Sequence, residues 1–133
     1  MINKGKSIVI DLDGTLCNIK KEDKSYSDVK PNREVVAKLR EYRKKGFYII
    51  VNSSRNMRTF DGNIGKINAV TLKTILQWLD THKIPYDEVH VGRPWCGFGG
   101  FYVDDQTVRP EEFLNRSYDE IVKLTRQHKN KEG

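Results

Sequence analysis

What this chain lacks narrows it before any motif is read. Among its 133 residues there are only two cysteines, Cys17 and Cys96, and their spacing fits neither a zinc cage nor a disulfide framework. Free thiols are expected. The three histidines, His82, His90 and His128, show no ligand spacing, so an imidazole-bound metal is not expected either. No apolar run approaches the roughly 20 residues that cross a bilayer, which leaves no membrane partner. The opening stretch MINKGKSIVID passes from lysines into an acid without the long apolar core of a signal peptide, and a cytoplasmic protein is the expectation. No repeat or composition break divides the chain. One domain over residues 1–133 is therefore expected, with 125–133 as a frayed tail.

Acids are in the minority, 18 against 24 Lys and Arg, for a net charge of +6. A basic balance serves either nucleic acid or a small anionic substrate. The basic residues are scattered over KK at 20–21, KLREYRKK at 38–45 and RQHKNK at 126–131, without interleaved aromatics for base stacking. No nucleic-acid partner is expected, and an anionic small molecule fits better.

The residues that are present alternate between short apolar runs and helical patterns. SIVIDLD, FYIIVN, DEVHVG and FYVDD read as strands. In PNREVVAKLREYRKKG, Val35, Val36, Leu39 and Tyr42 recur at helical spacing, with Asn32 as N-cap and Gly46 as the stop. AVTLKTILQWLDTHK carries the same period through Leu72, Ile75, Leu76 and Leu79, with Thr71 or a neighbour as cap. SSRNMRTFDGNIGKIN reads as a long loop, and CNIKKEDKSYSDVKP as a loop or small hairpin. The C-terminal RPEEFLNRSYDEIVKLTRQHK reads as a short turn and an amphipathic helix. Such alternation predicts an α/β fold with a parallel sheet flanked by helices.

In sheets of this kind, sites lie beyond the carboxyl ends of the strands. DLDG, NSSR, GRPW and VDDQ all fall at or just after predicted strand ends. Taken singly, each is an ordinary turn or cap; their shared position after apolar runs makes them one candidate site. Asp11 and Asp13 are two residues apart, and Asp104 and Asp105 follow another run. Two carboxylates about 4 Å apart repel by about 4 kcal/mol at an effective dielectric near 20. Such a cluster calls for a cation, and oxygen-only ligands suit Mg²⁺ together with a phosphorylated substrate. A carboxylate can then act as nucleophile and a second acid as proton donor. Ser53, Ser54 and Arg93 are candidates to hold phosphate oxygens.

These stretches resemble the haloacid dehalogenase (HAD) superfamily of phosphohydrolases. DLDGTL resembles the first motif, which implies Asp11 as nucleophile and Asp13 as general acid/base, both at the metal. IIVNSSR resembles the second, with Ser53 holding phosphate and Ser54 as the alternative register. VGRPW resembles the third, where the family carries lysine and this chain has Arg93; Lys66 is the other candidate for that charge. FYVDD resembles the fourth, with Asp104 as metal ligand and Asp105 beside it. The resemblance covers nearly the whole chain and implies a Rossmann-like HAD-type fold, with Mg²⁺ as cofactor and an aspartyl-phosphate intermediate. SSRNMRTFDGNIGKIN and GRPWCGFGGFYVDDQTVRPEEF look closest to a small branch of capsule or polysaccharide biosynthesis phosphatases, which implies a phosphorylated sugar or polyol as substrate.

The segments between the motifs are too short for a large cap domain. Arg55, Arg58 and Lys66 in the 53–70 loop are then the candidates for substrate contact, and a homo-oligomer is the candidate cover for an open site. Two competing readings remain: a catalytically weak HAD-fold binding or scaffold subunit, and a phosphosugar mutase.

Overall fold

The structure, a computed structural model, describes residues 3–20 and 25–132. It divides into two compact units, Met1–Trp95 and Cys96–Gly133. The first holds a parallel sheet of three strands in the order β1-β2-β3, with helices flanking it, as the alternating pattern predicts.

β1 spans Asn3–Asp11, β2 Phe47–Asn52 and β3 Glu88–His90. Ile8 pairs with Ile49 and Ile10 with Val51, and β3 joins through Ile50 opposite Glu88. Along β2 the side chains alternate between buried and half-buried: Phe47, Ile49 and Val51 face the core. That alternation is the two-residue repeat of a strand.

α1 spans Arg33–Lys44 and forms where the spacing places it. The Asn32 side chain accepts a hydrogen bond from the Val35 amide at 3.5 Å, satisfying one of the orphan donors of the first turn. Val35, Val36, Leu39 and Tyr42 are buried along one face, and the chain leaves the helix through Gly46 at φ 91°.

The second helical region begins earlier than its sequence pattern indicates. A three-residue turn α2, Ile64–Lys66, runs into a π-helical segment over Ile67–Thr71 and then into α3, Leu72–Thr81. The expected long loop therefore ends at Asn63, whose side chain accepts from the Lys66 amide at 3.2 Å and caps the start. Ile67 and Thr71 are buried, and this burial holds the wide turn in place. Thr71 caps nothing; its hydroxyl pairs with Asn56 Oδ1 at 2.7 Å. Ile75, Trp78 and Leu79 bury the inner face of α3, and Trp78 Nε1 donates to the Val29 carbonyl at 2.7 Å.

The polar stretch after β1 is anchored as a loop. Isolated bridges link Cys17 to Asp13 and to Pro31, and a single 3₁₀ turn covers Tyr26–Asp28. Residues 21–24 of this stretch lie outside the described residues. Between β1 and β2 there is only this loop and α1, and between β2 and β3 only residues 53–63 and the helical stretch. No large cap domain is present among the described residues.

The second unit carries α4, Pro110–Asn115, and α5, Tyr118–Glu132. Ser117 and Glu120 cap α5 reciprocally: the Ser117 amide donates to Glu120 Oε1 at 2.9 Å, and the Glu120 amide to Ser117 Oγ at 3.2 Å. Taken by itself, this unit contains no strand, so the FYVDD stretch is not a strand of that unit. A strand exists only through the ladder it shares, and the unit offers no second strand. Among the described residues, no helix is long and apolar enough to cross a membrane.

Leu39 is fully buried, and its truncation leaves a cavity beneath α1. Leu39→Ala is expected to cost about 2–5 kcal/mol of unfolding free energy, and Asn32→Ala about 1 kcal/mol. Urea titration measures both, and a larger loss from the cap than from the core would contradict this account of α1.

Candidate active site

Parallel pairing sets three strand ends in one row. Asp11, the last residue of β1, pairs with Asn52, the last of β2, and Asn52 pairs with His90, the last of β3. The chain beyond each end turns over the same rim, and backbone hydrogen bonds lace two of these turns together. The Ser53 amide donates to the His90 carbonyl at 2.8 Å, and the Arg93 amide to the Ser53 carbonyl at 3.1 Å. Residues from three separate stretches are thus fixed relative to one another by main chain.

Each aspartate of DLDG meets its own arginine. Arg93 Nη1 lies 3.6 Å from Asp11 Oδ1. Arg55 grips Asp13 with a fork: Nη2 reaches Oδ1 at 2.8 Å and Nε reaches Oδ2 at 3.1 Å. Lysine could offer the charge but not the two parallel donors. The Arg55 side chain is almost fully buried, while that of Asp13 keeps 27% exposure. The Tyr26 ring packs against the Arg55 guanidinium, 3.9 Å from its carbon to the ring centroid.

Burial pushes the Asp11 carboxyl above its ordinary value; the Arg93 charge and the Leu12 backbone amide pull the other way, and the Asp13 charge raises it further. Cys17, buried beside this pair, has its thiol pushed up to about 12 by burial and then by the Asp13 charge. It stays protonated near neutral pH, and its Sγ donates to Asp13 Oδ1 at 3.5 Å.

Ser53 is buried, and its Oγ accepts from the Arg55 amide at 3.0 Å, leaving the hydroxyl proton to donate. Ser54 is half-exposed and its carbonyl closes a turn with the Met57 amide. Two features hold the third turn. Gly92 sits at φ 85°, and a Cβ there would lie 2.6 Å from Ile64 Cδ1. The positive φ is what favours glycine there, since the Ile64 Cδ1 tip ends an exposed, flexible side chain. The start of α2 thereby packs on the residue preceding Arg93.

The structure brings together Asp11, Asp13, Ser53, Arg55 and Arg93. Arg55, expected to meet substrate, is turned inward onto Asp13. Arg58 and Lys66 are exposed on the loop and on α2. Of the two candidates for the lysine charge, Arg93 is the one paired with Asp11. Asp104 and Asp105 belong to the second unit, where Asp104 Oδ1 accepts from the Gln106 amide at 3.1 Å and Asp105 is exposed. Sequence reasoning missed Tyr26, hidden in a polar stretch with no periodic signal. It also set Cys17 aside, although that residue follows DGTL directly.

Among the described residues, no group of three or more His, Cys, Asp or Glu side chains gathers into an all-protein metal cage. The hard oxygen donors at this rim still match Mg²⁺, which binds through one or two carboxylates together with water and substrate phosphate. Both oxygens of Asp13 already accept from Arg55. Asp11 is then the carboxylate of this pair suited to an ion.

Comparison with known proteins follows the same outline. A family model described as haloacid dehalogenase-like hydrolase matches residues 8–131. A crystal structure of a target protein from Vibrio cholerae is similar at 49% identity and a TM-score of 0.87, covering 92% of this chain and 98% of that one. A chain in the structure of a Pnkp1/Rnl/Hen1 complex is similar at 20% identity and a TM-score of 0.47, covering 92% of this chain and 42% of that one. No curated protein matches the chain.

The raised Asp11 carboxyl has a consequence for stability. A carboxyl whose folded-state value lies above its unfolded value favours folding while protonated, and that contribution is lost as pH rises through the folded value. At neutral pH, ionised Asp11 therefore weighs against the fold. Asp11→Asn is expected to raise the melting temperature near pH 7, with the gap to wild type narrowing toward about pH 4. Thermal melts of the metal-free protein across this range measure it, and a variant melting below wild type at neutral pH would show the sign to be wrong.

Proposed function

Because the chain belongs to the haloacid dehalogenase-like hydrolase family, we propose that it is a Mg²⁺-dependent phosphomonoesterase working through an aspartyl-phosphate on Asp11. The observation that carries this reading is the rim geometry: a carboxylate at the end of β1, matched by Arg93, with a second carboxylate two residues on and the Ser53 hydroxyl on the neighbouring strand end.

An Asp11 oxygen attacks phosphorus in line with the ester bond. The P–O bond to the leaving group breaks as the bond to Asp11 forms, and Asp13 gives its proton to the departing oxygen. Water then attacks the same phosphorus, Asp13 takes the water's proton, and Asp11 is released with inorganic phosphate. The Ser53 hydroxyl donates to a phosphoryl oxygen. Arg93 adds a fork of donors and offsets the charge that would otherwise repel an anionic substrate from Asp11. Asp11 and the Asp13 carbonyl would hold Mg²⁺, which would supply charge neutralisation at the phosphate and polarise phosphorus toward attack.

The substrate is a small phosphorylated sugar or polyol, and the setting is capsule or surface polysaccharide biosynthesis in the cytoplasm. Support comes from the likeness of the 53–68 and 92–113 stretches to phosphatases of that kind. The absence of a large cap among the described residues favours hydrolysis over phosphoryl transfer between sugar positions, since a mutase must shield its intermediate from water.

Release of inorganic phosphate from a panel of sugar, polyol and nucleotide monophosphates with added Mg²⁺ tests this directly. Turnover is expected on sugar or polyol esters, to fall by at least about a thousandfold in Asp11→Asn, and to disappear with EDTA. Full turnover by Asp11→Asn removes Asp11 as nucleophile, and an isomerised phosphosugar in place of phosphate identifies a mutase.

A further inference from the structure

We infer that Arg55 is a positioning residue for Asp13 rather than a contact for substrate, and that Tyr26 holds it in that role. This rests on the phosphatase reading, in which Asp13 exchanges the proton with the leaving oxygen.

Two nitrogens of the Arg55 guanidinium are committed to Asp13, one to each carboxylate oxygen. Its third nitrogen, Nη1, is buried with no hydrogen-bond partner. The residue as a whole is 4% exposed. A group so enclosed is poorly placed to meet a ligand arriving from solvent. The exposure at this pair belongs to Asp13 instead.

Each carboxylate oxygen has two lone pairs. Arg55 occupies one on each, and with Cys17 also donating to Oδ1, a lone pair of Oδ2 is left for proton exchange. The bidentate geometry fixes the carboxylate plane, which a single point charge cannot do. Cys17 Sγ adds a third contact on Oδ1 at 3.5 Å. Behind the guanidinium, the Tyr26 ring lies 3.9 Å from the central carbon and blocks the swing that would release Asp13. The Ser53 hydroxyl oxygen accepts the Arg55 amide, tying the clamp to the phosphate-holding turn. The polar stretch beyond Cys17 thus acts at the site through Tyr26.

A positioning role has a kinetic signature that a substrate contact or a purely structural role lacks. Protonation of the leaving oxygen matters greatly for an alkyl ester and little for an aryl ester whose leaving group departs as a stable anion. Steady-state kinetics with Mg²⁺ on glycerol phosphate and on p-nitrophenyl phosphate compare the two for wild type, Arg55→Lys and Tyr26→Leu. In Arg55→Lys, kcat on glycerol phosphate is expected to fall about 100-fold and on p-nitrophenyl phosphate by less than about tenfold, with KM for both nearly unchanged. Tyr26→Leu is expected to show the same bias to a smaller degree, and it provides the readout if Arg55→Lys does not fold. Equal losses on both esters overturn the proposal, and so does a rise in KM with kcat retained, which would return Arg55 to substrate binding. Wild-type protein that hydrolyses neither ester overturns the phosphatase reading itself, and this role with it.

Discussion

Negative charge gathered at one rim of the parallel sheet is the constraint around which this molecule is organised. β1 brings Asp11 to the rim, and the chain adds Asp13 two residues later. Partly desolvated carboxylates at such spacing repel and are individually costly. The fold resolves this with one arginine apiece, each from a different turn: Arg93 after β3 and Arg55 after β2. The two pairings are unequal. The Arg55–Asp13 pair is forked, tight and buried on the arginine side, whereas the Arg93–Asp11 contact is longer and half-exposed. Removing one partner of a buried pair costs roughly 3–5 kcal/mol, a large share of the 5–15 kcal/mol that holds a typical domain together. The looser pair leaves the Asp11 carboxylate more exposed than that of Asp13.

The scaffold serves this charge matching through backbone more than through side chains. Parallel register places Asp11, Asn52 and His90 in one row. The amides of Ser53 and Arg93 then close the turns against one another. Gly92 lets Ile64 approach the third turn from the start of α2. The π-helical segment behind α2 carries the Thr71 hydroxyl to Asn56, which sits at φ 64° in the second turn. A wide turn at this point is consistent with the frequent occurrence of π-bulges at functional sites. Arg58 on the loop and Lys66 on α2 are exposed.

The elements that could be read from sequence are those whose signal is local. α1 was legible because four apolar residues keep a helical period between an asparagine cap and a glycine stop. The strands of the sheet were legible as apolar runs, and the acids drew attention because they end such runs. Tertiary pairing erased that legibility elsewhere. Nothing in SSRN distinguishes an arginine that faces solvent from one that turns back 42 residues to Asp13. Tyr26 sits in a stretch with no period, so its ring gave no sign of its place against Arg55. The Gly and Asn residues around 61–65 read as loop, yet Asn63 is a cap and the burial of Ile67 and Thr71 extends the helix. The FYVDD run carries strand propensity, but propensity sets a preference and pairing makes the strand.

Arginine in the place where the family carries lysine follows from the same electrostatics. A lysine ammonium is a compact charge on a flexible stem and concentrates its field at one point. Arg93 spreads its charge over a plane and approaches Asp11 at 3.6 Å, while its own amide is fixed to Ser53. Burial still holds the Asp11 carboxyl above its ordinary value despite the arginine beside it. The planar fork compensates by offering two parallel donors to a phosphoryl group, a geometry an ammonium cannot match. In the proposed reaction, arginine in lysine's place shifts the residue's contribution from stabilising the nucleophile toward orienting the group it attacks, and the main-chain bond from the Arg93 amide to the Ser53 carbonyl fixes where that fork starts.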